Sequence, residues 1–345
     1  MTAIRNQIKE IQKLSKDLKI LVIGDVMIDR YYLGTVNRIS PEAPVPVLDW
    51  QKTNDLPGGA SNVALNLIKL NCHVSLISVL GQDHYAEIIE NQMNEIGVNH
   101  FFIKEKNRIT TIKSRFISDH QQLLRLDQED KHDINSDSEN FILSKLQDLI
   151  YNGLSTIILQ DYNKGIFTKQ LIGKIINIAN QNKIPVCVDP KKSNFFEFQG
   201  VTLFKPNLKE ANTALNFSTK NFQNLFHSLA ERIDSKLIMI TLASEGLILG
   251  DKQLAKIFPT KTRLVKDVSG AGDTVISIAS ICVACHTDTA IMAEICNIAG
   301  GIVCELSLIH ICIPCRTFVV YIDEENNISN YRTILDLAST FWTRW

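Results

Sequence analysis

The sequence predicts an α/β fold with a mainly parallel central sheet, helices on both of its faces and a small second sheet projecting from it. Three observations carry this expectation. Apolar runs of strand length alternate with helix-period segments along most of the chain, the pattern of repeated βαβ units. Two stretches, about 30–50 and 100–126, break the rhythm and read as half-polar hairpin strands. Polar residues also gather just after the apolar runs, where open α/β sheets place their ligands.

The elements follow in order. Residues 1–19 are polar and amphipathic and read as a surface helix. A buried-type strand is expected at 19–24, a helix at 60–70, a strand at 73–80 and a helix at 85–96. A charged loop at 127–138 leads to a helix at 138–151, a strand at 156–160, a helix at 168–180 and a strand at 185–189. A short strand at 201–204 precedes helices at 208–215 and 222–233. Strands at 237–242, 247–249 and 255–258 come next, then long helices at 272–285 and 289–304. The two irregular stretches cannot be crossover helices. They suit a lid, which keeps water away from a reacting centre.

Composition narrows the function. The 345 residues are 45% hydrophobic with net charge −1, enough for a sizeable core. Near-neutral charge argues against nucleic acid or an anionic membrane as the main partner. The longest apolar run, at 275–285, falls well short of the roughly 20 residues a membrane span needs. No apolar signal core opens the chain, so the cytoplasm is the expected location. In that compartment the eight cysteines are expected to be free thiols. Cys282, Cys285, Cys312 and Cys315 form two Cys-x-x-Cys pairs, but the first lies on an apolar helix and the gap between pairs is long for a zinc ribbon. Haem attachment at Cys282-Val-Ala-Cys285-His286 would need export.

The most informative stretch is Asp-Val-Ser-Gly-Ala-Gly-Asp-Thr-Val at 267–275. Gly270, Ala271 and Gly272 lead into a helix, so backbone N–H groups and the helix terminus can gather an anion. The carboxylate of Asp273 beside that nest suits a base that takes a proton from a hydroxyl during phosphoryl transfer. A plain capped turn is the simpler alternative. Asp25 follows the first strand and can accept from sugar hydroxyls. Gly58 and Gly59 open a helix and allow close backbone approach, while Asn62 offers both donor and acceptor. Asn207 and Glu210 supply hard oxygens suited to Mg²⁺ through water, although Asn with Glu three later is also an ordinary capping box. Lys191 and Lys192 follow a strand, as a phosphate grip or a solvated pair. No Gly-x-x-x-x-Gly-Lys-Ser/Thr occurs, and no Gly-x-Gly-x-x-Gly follows the first strand.

From about Lys19 to Glu305 these residues resemble the ribokinase-type (PfkB) carbohydrate kinases, through 58–64 with its helix and through 267–274. Four further segments look like the D-glycero-β-D-manno-heptose 7-phosphate kinases of that family. They are Gly-Asp-Val-Met-Ile-Asp-Arg-Tyr at 24–31, Arg-Ile-Ser-Pro-Glu-Ala-Pro-Val-Pro-Val at 38–47, Leu-Arg-Leu-Asp at 124–127 and Asp-Tyr-Asn-Lys-Gly at 161–165. The resemblance implies a ribokinase-like three-layer sandwich with a projecting β-sheet lid. It implies ATP-dependent phosphorylation of the heptose C1 hydroxyl to the 1,7-bisphosphate, in lipopolysaccharide core synthesis. Asp273 would be the base, with Gly270, Ala271 and Gly272 as anion hole. Asp25, Gly58, Gly59 and Asn62 would hold the sugar, and Lys191 and Arg125 its 7-phosphate. Asn207 and Glu210 would organise Mg²⁺ and ATP through water, with Thr241, Ser244, Gly246 and Ser269 near the nucleotide. A monovalent cation is a further implied cofactor, and pairing of two copies through the lid a further implied assembly. Such kinases are often fused to a nucleotidylyltransferase, so this chain is expected to be a kinase half or a stand-alone kinase. Residues 1–305 form the expected kinase domain. Residues 306–345 do not align with the family and read as an aberrant, frameshifted tail in which Cys312 and Cys315 are accidental. The rival readings are another PfkB-type sugar or nucleoside kinase, and a sugar-phosphate-binding homologue without catalysis.

Overall fold

In the computed structural model, residues 2–119, 121–217, 221–260 and 268–305 are described. The tail at 306–345, with Cys312 and Cys315, and the start of the phosphate motif at Asp267 lie outside them. Two sheets organise the chain, one nine-stranded and one four-stranded.

After a first helix α1 (Thr2–Leu14), the apolar strand β1 (Lys19–Gly24) runs into the centre of the large sheet. The chain then leaves that sheet in two long strands, β2 (Val26–Ile39) and β3 (Pro46–Gly59), and returns in helix α2 (Ala60–Lys69). Strand β4 (His73–Gly81), helix α3 (His84–Glu95) and strand β5 (Asn99–Glu105) complete one flank. Strands β6 (Ile112–Ser118) and β7 (Gln121–Gln128) rejoin the small sheet, whose order is β3-β2-β6-β7.

Classical βα units build the other flank. Helix α4 (Ser136–Tyr151) precedes β8 (Thr156–Gln160), α5 (Lys169–Gln181) precedes β9 (Val186–Asp189), and β10 (Val201–Phe204) precedes α6 (Leu208–Leu215) and α7 (Phe222–Ala230). Strands β11 (Ser235–Thr241), β12 (Leu247–Gly250) and β13 (Ala255–Phe258) form the far edge, and α8 (Ala271–Ala284) and α9 (Thr289–Glu305) follow. The large sheet runs β13-β12-β11-β10-β9-β8-β1-β4-β5, parallel except at β12 and β13. Helix starts have clear chemical causes: the side chains of Asp83, Asn135, Thr168, Asn207 and Asn221 each accept from a first-turn amide of α3 to α7.

The core divides at the sheet because strand side chains alternate. Ile20 and Val22 of β1 pack with α2, α3, α8 and α9, whereas Leu21 and Ile23 pack with α4 to α7. Both faces are buried, hence the continuous apolar runs of these strands.

One stretch departs from the expected lid. Residues 99–105 pair in parallel with β4 and form an edge of the large sheet, so the second lid segment begins only at Ile112. An edge strand packs incompletely and shows the same half-polar pattern as a lid strand, so composition does not separate the two. The first lid segment also extends beyond 30–50 at both ends. Val26 pairs with Gly59, and the Ala60 amide donates to the Asp25 carbonyl at 2.9 Å. The lid is therefore rooted directly between the end of β1 and the start of α2.

Candidate active site

Asp273 stands in the first turn of α8 and is 5% exposed. Its Oδ2 accepts from Asn62 Nδ2 at 2.7 Å. Its Oδ1 accepts from the Tyr162 hydroxyl at 2.7 Å and from Gln160 Nε2 at 3.3 Å. The helix carrying Asn62 packs on α8, and Asn66 meets Thr274 in the same seam at 3.4 Å. Burial raises the Asp273 carboxyl above its ordinary range, opposed by the hydrogen bonds from Asn62 and Tyr162. A carboxylate that sheds its proton reluctantly is a more competent proton acceptor once ionised.

The turn before α8 has the shape its glycine requires. Gly270 has φ of 77°, a left-handed conformation costly for other residues. The Ala271 amide donates to Val268 and the Thr274 amide to Gly270, while no carbonyl among the described residues takes the Gly272 or Asp273 N–H. These are donors of the kind that a helix start presents to anions.

Asp25 lies one strand away, with its Oδ2 accepting from the amides of Tyr162 at 2.7 Å and Lys164 at 3.2 Å. Burial, then the charge of Asp161, push its pKa up from 3.8 to about 7. Gly59 has φ of 61°, and a Cβ there would lie 2.4 Å from the Asp25 carbonyl oxygen. Only glycine lets β3 turn into α2 this close to the end of β1. Gly58 precedes it, opposite Met27.

Cations fill the other side. Lys205 is buried and pairs with Asp189 at 3.0 Å; Lys191 reaches Asp189 at 3.4 Å and also binds Glu210. Burial opposes ionisation of Asp189, but Lys191 and Lys205 outweigh it and hold the carboxyl below its ordinary range. Burial likewise opposes the charge on Lys191, yet Asp189 and Glu210 keep its pKa raised. A Cβ on Gly272 would sit 3.8 Å from both Lys205 Nζ and Asp189 Oδ2, so this pair abuts the start of α8.

The remaining expected residues divide. Asn207 and Glu210 form a complete capping box on α6, with each side chain accepting from the other's backbone amide. Thr241 bridges to Asn207 at the end of β11. Ser244 and Gly246 lie in the turn that follows, and Ser269 in the turn before α8. Arg125 lies on the outer lid strand β7, half-exposed and paired with Asp127 at 3.0 Å, and no described contact joins it to the Asp273 cluster. Among the described residues no group of three His, Cys, Asp or Glu side chains is arranged to hold a metal ion. Cys72, Cys187, Cys282, Cys285 and Cys296 are free thiols. Sequence reasoning missed Gln160, Tyr162 and Lys205 as members of the cluster. Gln160 ends β8, Tyr162 lies in the 161–165 segment singled out above and Lys205 follows β10, but none carried an assigned role.

A buried carboxylate against an open helix start, with buried Lys205 and part-buried Lys191 nearby, suits an enzyme that moves a phosphoryl group onto a hydroxyl. The model of the pfkB family carbohydrate kinases matches residues 17–314, and the chain belongs to that family. It is 43% identical over 296 residues to the bifunctional protein HldE of Aliarcobacter butzleri, covering 84% of this chain and 61% of that protein. It is 40% identical to the bifunctional protein HldE of Nitratiruptor, covering 83% of this chain and 61% of that protein. The chain thus spans about three fifths of the length of these curated relatives. Among solved structures, the tetrameric inhibited form of Escherichia coli phosphofructokinase-2 superposes with a TM-score of 0.71 at 16% identity, covering 84% of this chain and 95% of that one. Arabidopsis thaliana ribokinase complexed with ribose and ATP gives 0.64 at 15% identity, covering 84% and 93%. These establish the ribokinase-like fold, and the family establishes a sugar kinase.

Proposed function

We propose that the chain phosphorylates D-glycero-β-D-manno-heptose 7-phosphate at C1, using ATP, to give the 1,7-bisphosphate for lipopolysaccharide core assembly in the cytoplasm. The observation that carries the reading is the contact of Asn62 with Asp273, which joins the expected sugar-binding turn to the expected base. The similarity to HldE proteins favours a heptose phosphate over other sugars. Among the described residues no helix is long and apolar enough to cross a membrane.

ATP supplies the phosphoryl group when bound. The Gly272 and Asp273 amides and the neighbouring Lys205 suit its anionic oxygens, with Thr241, Ser244, Gly246 and Ser269 assigned to the nucleotide. Asn207 and Glu210 suit Mg²⁺ only through water, because one Glu210 oxygen accepts the Asn207 amide and the other binds Lys191. Asp25 and Gly59 hold sugar hydroxyls, and Lys191 contributes positive charge toward a phosphate. Asp273 takes the proton of the acceptor hydroxyl as its oxygen bonds to phosphorus. The lid exposes Trp50, Leu124 and Leu126, which suit pairing with a second copy.

The test is ADP release with heptose 7-phosphate, fructose 6-phosphate, fructose 1-phosphate, ribose and a nucleoside as acceptors. Heptose 7-phosphate should give the highest kcat/KM. A higher value for another acceptor refutes the substrate. Calorimetry that finds sugar-phosphate binding without binding of an ATP analogue refutes catalysis.

A further inference from the structure

The carboxylate of a base has two oxygens, and in this site they are not equivalent. A carboxylate offers about four lone-pair positions. At Oδ1 of Asp273 two are engaged, by the Tyr162 hydroxyl at 2.7 Å and Gln160 Nε2 at 3.3 Å. At Oδ2 one is engaged, by Asn62 at 2.7 Å. We infer that Tyr162 is a positioning residue that locks the Asp273 carboxylate and reserves Oδ2 for the acceptor's proton, an inference that rests on the phosphoryl-transfer reading above.

Tyr162 is itself fixed from several directions. Its backbone amide donates to Asp25 Oδ2 at 2.7 Å. Its ring lies 5.3 Å from Lys113 Nζ of the lid and 5.2 Å from Lys191 Nζ, both within cation–π range. The turn after it carries positive φ at Asn163, 55°, and Gly165, 88°. A side chain held by a backbone bond and two cations does not swing freely. Burial, with the charges of Asp273 and Asp189, raises the phenol pKa well above its ordinary value. The group therefore keeps its proton and acts as a constant donor. Asp273 meets, besides Tyr162, the charges of Asp189, which raises its pKa, and Lys191, which lowers it, with the Lys205–Asp189 pair at the start of α8.

The step balances. The acceptor's proton moves to Oδ2 as its oxygen forms a bond to phosphorus, and the bond from phosphorus to the departing diphosphate breaks. Tyr162 and Gln160 keep Oδ1 throughout.

Tyr162→Phe removes the hydroxyl and keeps the ring. It should lower kcat roughly tenfold, the scale of one charge-assisted hydrogen bond, with acceptor KM unchanged within about twofold. Loss of a donor to the carboxylate raises the Asp273 pKa, so the acid limb of kcat should move up by about one pH unit. Carbon-13 NMR titration of the Asp273 carboxyl in the substrate-free protein, assigned with Asp273→Asn, should move the same way. Site-specific 3-fluorotyrosine at 162, a stronger donor, should move both readouts downward and covers the case of a poorly folded Phe variant. Unchanged kcat with a lowered acceptor KM would overturn the inference, because the phenol would then merely occupy the acceptor's place. So would a carboxyl titration that does not move. If the wild type phosphorylates none of the acceptors, the substrate reading fails while the carboxyl titration still judges Tyr162.

Discussion

Replacing Asp273 with Asn exchanges the proposed base for an isostere that cannot take a proton. Loss of a general base costs about 10²–10⁴ in turnover, equivalent to about 3–5 kcal/mol of transition-state stabilisation. The hydrogen bonds around the side chain set the cost in stability. Asn62 Nδ2 only donates, so the new carbonyl oxygen must face it; the Tyr162 hydroxyl can rotate to accept from the new amide nitrogen. Gln160 loses one of two acceptors and keeps Asp189 Oδ2 at 3.3 Å, a loss of about 1–2 kcal/mol for a long bond to a carboxylate. Against this, burial raises the folded pKa of Asp273 above its unfolded value. The stability contribution of such a group is present at low pH and lost as pH rises through the folded pKa, so rising pH brings a penalty to the wild type that Asn avoids. Activity and stability should therefore separate. Steady-state ADP release at saturating acceptor should fall at least a hundredfold, and the melting temperature should stay within about 2–4 °C of the wild type or rise. Turnover within tenfold of the wild type would refute the assignment of the base. A melting temperature lowered by more than about 8 °C would mean that the carboxylate serves the fold.

Asp25→Asn tests a second buried acid. Its folded pKa is raised from 3.8 to about 7, so its stability contribution is full below 3.8 and lost by about 7. Relative to the wild type, the variant should gain about 2–3 kcal/mol in urea unfolding between pH 5 and pH 8, and parallel curves would refute the shift. Gly59→Ala forces a Cβ to 2.4 Å from the Asp25 carbonyl at positive φ, and should cost about 2 kcal/mol or more by urea unfolding and weaken acceptor binding in calorimetry. Leu124→Ser with Leu126→Ser removes exposed apolar surface from the lid; light scattering should report monomers where the wild type is dimeric, and a monomeric wild type refutes the pairing.

Much of the architecture was legible because parallel strands buried on both faces, such as Thr156–Gln160, announce themselves as unbroken apolar runs. The loop at Gly270 was legible because its left-handed backbone demands glycine. Strand β5 was misplaced because partial burial at a sheet edge imitates a lid. The cluster itself was half visible. Asp273, Asn62 and Asp25 carried recognisable local contexts. Gln160 and Tyr162 become partners of Asp273 only through contacts spanning 113 and 111 residues. Lys205 looks like any lysine in sequence, and its value depends on burial beside Asp189. At Asn207 and Glu210 two meanings share one pattern: the capping box is complete, and a role at a metal has to operate through it.

The bond between Asn62 and Asp273 spans 211 positions of the polypeptide, and nearly the whole large sheet is synthesised between them. During translation the first partner waits until the start of α8 leaves the ribosome. Phosphorylating capacity should consequently arise abruptly, late in chain growth, rather than accumulating in stages. On the proposed roles, a proteolytic nick that separates these ends would strand the sugar platform on one fragment and the proton acceptor on the other, so catalytic output would double as a gauge of whether the molecule is whole.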